Sequence, residues 1–495
     1  MARGSPTPID EAALEPLLGG RLPPAALVAL ARAVATRHPP AVRLRRDADR
    51  SLLPWPLEPV AWYPLAGRPA GDSPRPSRTL AYAAGDYYLQ DAGSLLALAA
   101  AAADEPPSAA GLAVCDLCAS PGGKATALVE AAGPGGWVLA NEPIRGRLPP
   151  LGFNLARTGS DRYAITSLDP EQLADRLPAA FDLVLVDAPC SGQALLGKGR
   201  QQASALSPRQ VGLNAARQRR ILAAAVRLLR PSGRLIYSTC TFADEENEQQ
   251  VAWLIKEVGL EADPVARLEA YRSEPSLPAY RAWPHRDGCA GAFAASLRAP
   301  ATPRAERVDQ QFTPAELAET HGRDQETARP LARPPSNDHR PPPAPPAHRR
   351  QRSSTAVGLS SDCRELLATL GCDAGDVAFT VSGSVVHGWP VCIPAEVRSL
   401  AVAGPEWFHR TGSTWRPAHA LAVRRDTVAA GVSAVAVSDG EAAAYLRGEP
   451  LAIPGGDESW LRITWRGRPL GWVKRDGNRG KNHLPAAARL AIEEA

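Results

Sequence analysis

The chain has 495 residues, 44% hydrophobic and 22% charged, with a formal net charge of +4 at neutral pH. That length predicts two to four domains with large cores, and so small a charge excludes a polycation as a whole. Eight cysteines scattered along so long a chain argue for reduced thiols rather than a disulfide framework. Only five of the 56 basic residues are lysine (124, 198, 256, 474 and 481), which reads as the mark of a GC-rich genome, although arginine also suits phosphate and base stacking.

The first segment, MARGSPTPIDEAALE, lacks an apolar signal region, and the longest apolar run, Leu95 to Ala103, is too short to span a bilayer. A cytoplasmic protein without membrane contact is expected. Residues 1–80 read as a small α+β layer: PIDEAALEPLL and AALVALARAVATR are helical, and Trp55 and Trp62 lie in irregular chain.

From residue 81 to 298, strand and helix signals alternate, which predicts a parallel sheet covered by helices. Strands are expected at Ala113–Leu117, Gly136–Asn141, Tyr163–Thr166, Leu183–Asp187 and Arg234–Ser238. The first runs into Asp116 and then the turn Cys118-Ala119-Ser120-Pro121-Gly122-Gly123-Lys124. Glycines there let backbone approach a ligand. A triphosphate loop is disfavoured, because Cys118 stands where the first glycine should be and Ala125 where the metal-binding hydroxyl should be. Cys115-x-x-Cys118 has no second pair at zinc spacing, and no metal is expected.

The second strand closes on Glu142, 26 residues after Asp116, where an acid can accept from ribose hydroxyls. With no full Gly-x-Gly-x-x-Gly, an adenosine ligand without a pyrophosphate fits, and S-adenosylmethionine is the common one. Asp169 closes the third strand region and Asp187 the fourth. Each acid alone is more often a cap; at successive strand ends they read as a site. Asp187 is followed by Pro189-Cys190-Ser191-Gly192.

SPRQVGLNAARQRRILAAAVRLLRPSG then reads as a helix, with Ser207 as N-cap, Pro208 in the first turn, Gln210 completing a capping box, and an apolar face of Val211, Ile221, Leu222, Ala225, Val226 and Leu229. RLIYSTCTF follows, a strand ending at Cys240 before the acid-rich helical stretch Asp244–Glu248. A thiol beside a helix N-terminus can be activated, but most free cysteines are small buried hydrophobes. Two cysteines at neighbouring strand ends, beside an adenosine pocket, are hard to explain as packing.

Residues 299–358 are rich in Pro and Arg and read as a disordered linker. Residues 359–495 alternate apolar and polar positions around Gly and Pro turns, which predicts a small antiparallel β domain. Within it, Arg462, Arg466, Arg468, Lys474, Arg475, Arg479 and Lys481 interleave with Trp465 and Trp472. That is a pattern RNA-binding modules show, though a hairpin with core tryptophans reads equally well.

DLCASPGGKAT, ANE, DAPCSG and STCTFADEENE, in this order, resemble the signature motifs of the Sun/Fmu family of RNA (cytosine-5) methyltransferases. YYLQDAGSLLA resembles that family's entry helix and GAFAASL its closing strand, so the resemblance covers about residues 40–298. GWVKRD and KNHLP resemble the PUA-like RNA-binding tail of RsmF-type ribosomal RNA members. The resemblance implies a Rossmann-like S-adenosylmethionine-dependent methyltransferase sheet between the N-terminal layer and a PUA-like domain. It implies Cys240 as the nucleophile, Cys190 as the residue that resolves the adduct, and Asp187 against the cytosine. Cofactor contacts would fall on Cys118 through Lys124, Glu142, Asp169 and Asp187. The implied substrate is RNA, small-subunit ribosomal RNA or an assembled subunit, and a monomer is expected. Ser120 and Ala125 depart from the family's usual Ala and Thr without removing a charged contact. Two rivals stand beside this reading: a DNA cytosine-5 methyltransferase, which would make Cys190 the attacker, and a non-catalytic RNA-binding factor on the same fold.

Overall fold

The computed structural model describes residues 11–71, 74–199, 201, 203–302, 358–426 and 431–493. Helices α1 (Glu11–Leu18) and α2 (Pro24–Ala35) lead into a four-stranded sheet of order β2-β3-β1-β4, formed by β1 (Ala41–Leu44), β2 (Leu57–Pro59), β3 (Ala66–Pro69) and β4 (Tyr87–Gln90). Tyr87–Gln90 had been expected to open a helix. It is instead an antiparallel partner of β1, and helical chain begins only at Ala92. The four residues YYLQ include two β-favouring aromatics, and β1 offers an edge to pair with. The short helix α3 (Leu80–Ala83) precedes β4.

The central sheet has eight strands. Its parallel part runs β9-β8-β5-β6-β7, from β5 (Ala113–Asp116), β6 (Trp137–Asn141), β7 (Tyr163–Thr166), β8 (Phe181–Asp187) and β9 (Leu229–Thr239). All five expected strands are present, with β8 and β9 starting earlier than their apolar runs suggested. Every residue of β5, β6 and β7 is buried, as strands covered on both faces require. The crossovers are α5 (Gly123–Ala131), α6 (Leu148–Ala156), α7 (Pro170–Arg176) and α8 (Pro208–Leu228); α4 (Leu95–Ala100), buried throughout, enters the sheet layer ahead of them. After β9 come α9 (Glu248–Trp253) and the strands β10 (Glu261–Ala262), β11 (Ala279–Ala282) and β12 (Ala292–Arg298). The last runs antiparallel to β9. Strand order reverses between β5 and β8, so the crevice at their carboxyl ends is where a ligand belongs.

In α8, Ser207 Oγ accepts from the Gln210 amide at 3.3 Å. The expected capping box is only half made, because the Ser207 amide donates to the Ser204 carbonyl instead. The buried face of α8 includes two polar residues, Asn214 and Gln218, that the apolar pattern did not reveal. The acid run after Cys240 forms a short 3-10 turn, Asp244–Glu246, before α9 begins at Glu248.

The C-terminal part, expected to be antiparallel, holds two sheets, and in the second one pair of strands is parallel. β13 (Ala378–Ser382), β14 (Val385–Trp389), β15 (Glu406–Thr411) and β16 (Thr414–Pro417) form an antiparallel meander. The second sheet, of order β17-β19-β20-β21-β18, comprises β17 (Ala434–Val437), β18 (Leu451–Ala452), β19 (Trp460–Trp465), β20 (Arg468–Asp476) and β21 (Arg479–Asn482). The meander side docks on the edge of the central sheet, where Ile165 donates to the Ala403 carbonyl at 2.9 Å. Most of the segment read as a linker, 303–357, lies outside the described residues. Among the described residues no helix is long and apolar enough to cross a membrane.

Candidate functional site

β8 and β9 are neighbours in parallel register, Asp187 beside Ser238, so both loops that follow them emerge at the same edge. That register brings Cys190 and Cys240 together, 50 residues apart in sequence, with their sulfurs 3.4 Å apart. The Cys240 amide also points at the Cys190 sulfur, at 3.4 Å. The hydrogen bond to Cys240, with burial added, pushes the Cys190 thiol well up from the ordinary thiol range. A neutral Cys190 thiol is thereby favoured beside Cys240, and either sulfur can be the donor between them.

The two loops are stitched by buried polar groups. Glu246 accepts from the Ser191 amide at 3.0 Å, from the Ser191 hydroxyl and from Gln218 Nε2 at 2.8 Å. Gln218 also donates to the Pro189 carbonyl, and Ala194 to the Cys240 carbonyl, each at 3.0 Å. Asn247 accepts from Thr239 Oγ1 at 2.5 Å and donates to the Thr241 carbonyl at 3.0 Å. One step out, Arg281 binds Glu248 at 2.5 Å, Asp244 at 3.1 Å and the Phe242 carbonyl at 3.0 Å. Leu14, Leu18, Leu27 and Leu30 of the N-terminal helices pack behind this loop with Phe242 and Trp283, and Cys240 lies against that cluster.

Beside the thiols lies the Cys118–Lys124 loop. Gly122, at φ +110°, holds a left-handed backbone that glycine favours, and an added Cβ would come 3.2 Å from Asn154. Gly123 opens α5, and a Cβ there would meet Gln90 Oε1 at 3.0 Å and the Tyr88 ring at 3.2 Å. Ala119 donates to the Asn141 carbonyl at 2.9 Å, and Ser120 Oγ to the Arg147 carbonyl at 2.9 Å. Asn154 Nδ2 holds the Pro121 carbonyl at 2.8 Å. Lys124 Nζ lies 2.6 Å from Asp187, whose other oxygen accepts from Ser238 at 2.7 Å. Against burial, Asp187, Asp116 and Cys240 together push the Lys124 ammonium up.

Glu142 is 2% exposed; it accepts from the Ile144 amide at 3.0 Å and lies 3.1 Å from Arg147. Asp169 is not drawn into this cluster: it caps α7 by accepting from the Glu171 amide and pairs with Arg220 at 3.4 Å. Cys115 and Cys118 are not a reactive pair, since burial pushes both thiols up. No group of three or more potential metal ligands occurs among the described residues.

Two side chains beside this loop stand out in the structure: Asp116, which opens the first motif, and Gln90, which YYLQDAGSLLA contains without marking it. Asp116 is 1% exposed, and both its oxygens lack a hydrogen-bond partner. Burial, reinforced by Asp187 and Glu142, pushes its carboxyl up to about 7. Gln90, beside Gly123, also has both side-chain atoms buried and unpartnered. An acid ending an apolar strand was the available signal for Asp116; nothing local marked Gln90. Asp187 and Asp116 both lie by Lys124, and Asp116, unlike Asp187 and Glu142, has no ion-pair partner of its own among the described residues. S-adenosylmethionine carries an ammonium and a sulfonium, so the residues fit it.

The profile described as "16S rRNA methyltransferase RsmB/F" matches residues 107–298, and that of the "Methyltransferase RsmF PUA domain" matches 432–490. The ribosomal RNA small subunit methyltransferase F of Klebsiella pneumoniae (strain 342) is 31% identical over 450 residues, 87% of this chain and 84% of that protein. The chain belongs to the ribosomal RNA small subunit methyltransferase F family. The protein of that name from Escherichia coli O139:H28 is 28% identical over 456 residues, with the same shares covered. A solved methyltransferase homolog from Pyrococcus horikoshii is 23% identical, covering 58% of this chain and 93% of that one, with a TM-score of 0.49. The protein is accordingly an S-adenosylmethionine-dependent methyltransferase on a Rossmann-like sheet, and the PUA match falls on the second C-terminal sheet.

The aromatic half of the C-terminal basic pattern resolves as core. Trp465 and Trp472 are buried and donate to Asp439 at 2.7 Å and to the Ala418 carbonyl at 2.9 Å, so neither offers a stacking face. Lys474, Arg479 and Lys481 remain exposed.

Proposed function

We propose that the protein methylates carbon 5 of cytosine in small-subunit ribosomal RNA through a covalent bond between Cys240 and the base. The observation that carries this is the pair of thiols 3.4 Å apart beside the Lys124–Asp187 pair. Carbon 5 of cytosine is a poor nucleophile. Cys240 adds to carbon 6, its proton passes to the ring at N3, and the ring becomes an enamine. Asp187 holds the N3–H and the exocyclic amine, offsetting the charge that develops. The Cys118–Lys124 loop, Glu142 and Asp116 hold S-adenosylmethionine, with Asp169 reaching the adenine side; when bound it supplies the electrophilic methyl group. With Cys240 held as a thioether and no longer sharing a proton with it, Cys190 gives its own proton to solvent. As a thiolate it takes the proton from carbon 5, the bond from carbon 6 to Cys240 breaks with its electron pair on sulfur, and that sulfur recovers the proton from N3.

The base must leave any stack to reach the thiol. Residues 1–80 and 359–495 would grip the flanking RNA, with 299–358 as a spacer. The protein is proposed to act in the cytoplasm as a monomer, on the naked RNA or the assembled subunit. The test is to incubate the protein with small-subunit ribosomal RNA and cofactor, then map 5-methylcytosine. Methylation confined to one or a few cytosines at carbon 5 is expected; a methyl group on another atom or base contradicts the reading.

A further inference from the structure

Four arginines, Arg424, Arg425, Arg462 and Arg468, line a cavity of about 230 Å³ with only two acids, Asp47 and Asp426. It lies where the C-terminal part meets the rest of the molecule. Arg424 pairs with Asp161 and with Asp426, each at 2.6 Å, Arg425 with Asp86 at 2.8 Å and Asp47 at 3.3 Å, and Arg468 with Asp86 at 3.3 Å. Those pairs leave two donors over. Arg424 is 4% exposed, yet its Nη1 is buried without a partner. Arg462, half-buried on β19 and within the field of Asp426, has no side-chain hydrogen bond or ion pair among the described residues, and its Nε is buried and unpartnered. A partly desolvated guanidinium without an anion is costly. The cavity is far larger than the ~30 Å³ share of one water, and its size and donor fork suit a phosphate group.

We propose that this cavity takes a backbone phosphodiester of the RNA, gripped by Arg462 and Nη1 of Arg424; the proposal rests on the RNA reading above. An RNA source is favoured over a free anion because the basic edge continues along the same ribbon. β20 starts with Arg468 in the cavity and runs to the exposed Lys474, paired in register with Lys481 on β21. A phosphate fixed here would set the register of the RNA relative to the thiols without reading its sequence.

The test uses the full chain. Arg462→Ala removes a side chain with no intramolecular partner, so melting in phosphate-free buffer should be unchanged or raised. Affinity for a small-subunit RNA fragment is measured by fluorescence anisotropy from about 50 to about 200 mM salt. The variant should bind more weakly throughout, with a salt slope shallower by about 0.7–0.9. Arg462→Lys should restore the slope but not the full affinity. An unchanged slope in Arg462→Ala overturns the proposal while leaving the RNA reading intact. A wild type that binds no RNA sinks both. Inorganic phosphate that stabilises the wild type but not Arg462→Ala, with the RNA slope unmoved, would mean a free-anion site and also overturns it.

Discussion

Asp116 links stability, pH and cofactor binding in one side chain. Its carboxyl is buried without a partner and pushed up from 3.8 to about 7 by burial first, then by Asp187 and Glu142, with Lys124 opposing. Because the folded value lies above the unfolded one, the folded protein holds an extra proton between pH 3.8 and about 7. Stability from this group is present below that window and is lost as pH rises through it. At about 1.36 kcal/mol per unit, the ceiling on that loss is about 4 kcal/mol. A cationic ligand needs the ionised form, so the affinity for S-adenosylmethionine should rise with pH and level off above about 7. At pH 6 only about one tenth of Asp116 is ionised, which predicts roughly tenfold weaker binding than at pH 8. Calorimetry in two buffers of different ionisation heat should detect close to one proton released per cofactor bound near pH 6. Asp116→Asn should melt higher at pH 8 and bind cofactor poorly at every pH. Affinity independent of pH, with no proton released, would refute the reasoning.

Three further substitutions probe the supports of the site. Glu246→Ala strands the Ser191 and Gln218 donors and should cost about 2–3 kcal/mol in denaturant unfolding. It should lower turnover far more than cofactor affinity, because it holds the thiol loops and not the cofactor loop. Gly122→Ala imposes a Cβ at φ +110° and 3.2 Å from Asn154, so about 1–2 kcal/mol of strain should appear in the melting curve, together with weakened cofactor binding by calorimetry. Arg281→Met leaves the 4% exposed Glu248 with only its longer pair to Arg21 at 3.7 Å and should destabilise by about 3 kcal/mol, read by denaturant unfolding at neutral pH.

The five parallel strands were legible because each is a short apolar run stopped by an acid or a turn, and the chemistry-bearing residues sit at those stops. Cys190 and Cys240 could be read as neighbours for the same reason, since α8 alone separates their strands. What could not be read depends on partners distant in sequence. That Asp116 has no ion pair follows from Lys124 being taken by Asp187 on the neighbouring strand, and a lone Asp before a turn looks like any cap. Asp169 looked equivalent to Glu142, and that one of its oxygens also caps the helix begun by Pro170 was not legible from the acid alone. YYLQ looked like the approach to a helix because the edge it pairs with lies more than 40 residues earlier. Trp465 and Trp472 alternate with basic residues as a stacking surface would, and only the packing of the second sheet decides that they are core.

The central claim is tested most directly by trapping. Wild type, Cys240→Ala and Cys190→Ala are each incubated with RNA and cofactor and run on a denaturing gel. Cys240→Ala should form no protein–RNA adduct, and Cys190→Ala should accumulate one that persists. The opposite pattern, an adduct without Cys240 and none without Cys190, would contradict the assignment of the nucleophile and the mechanism built on it.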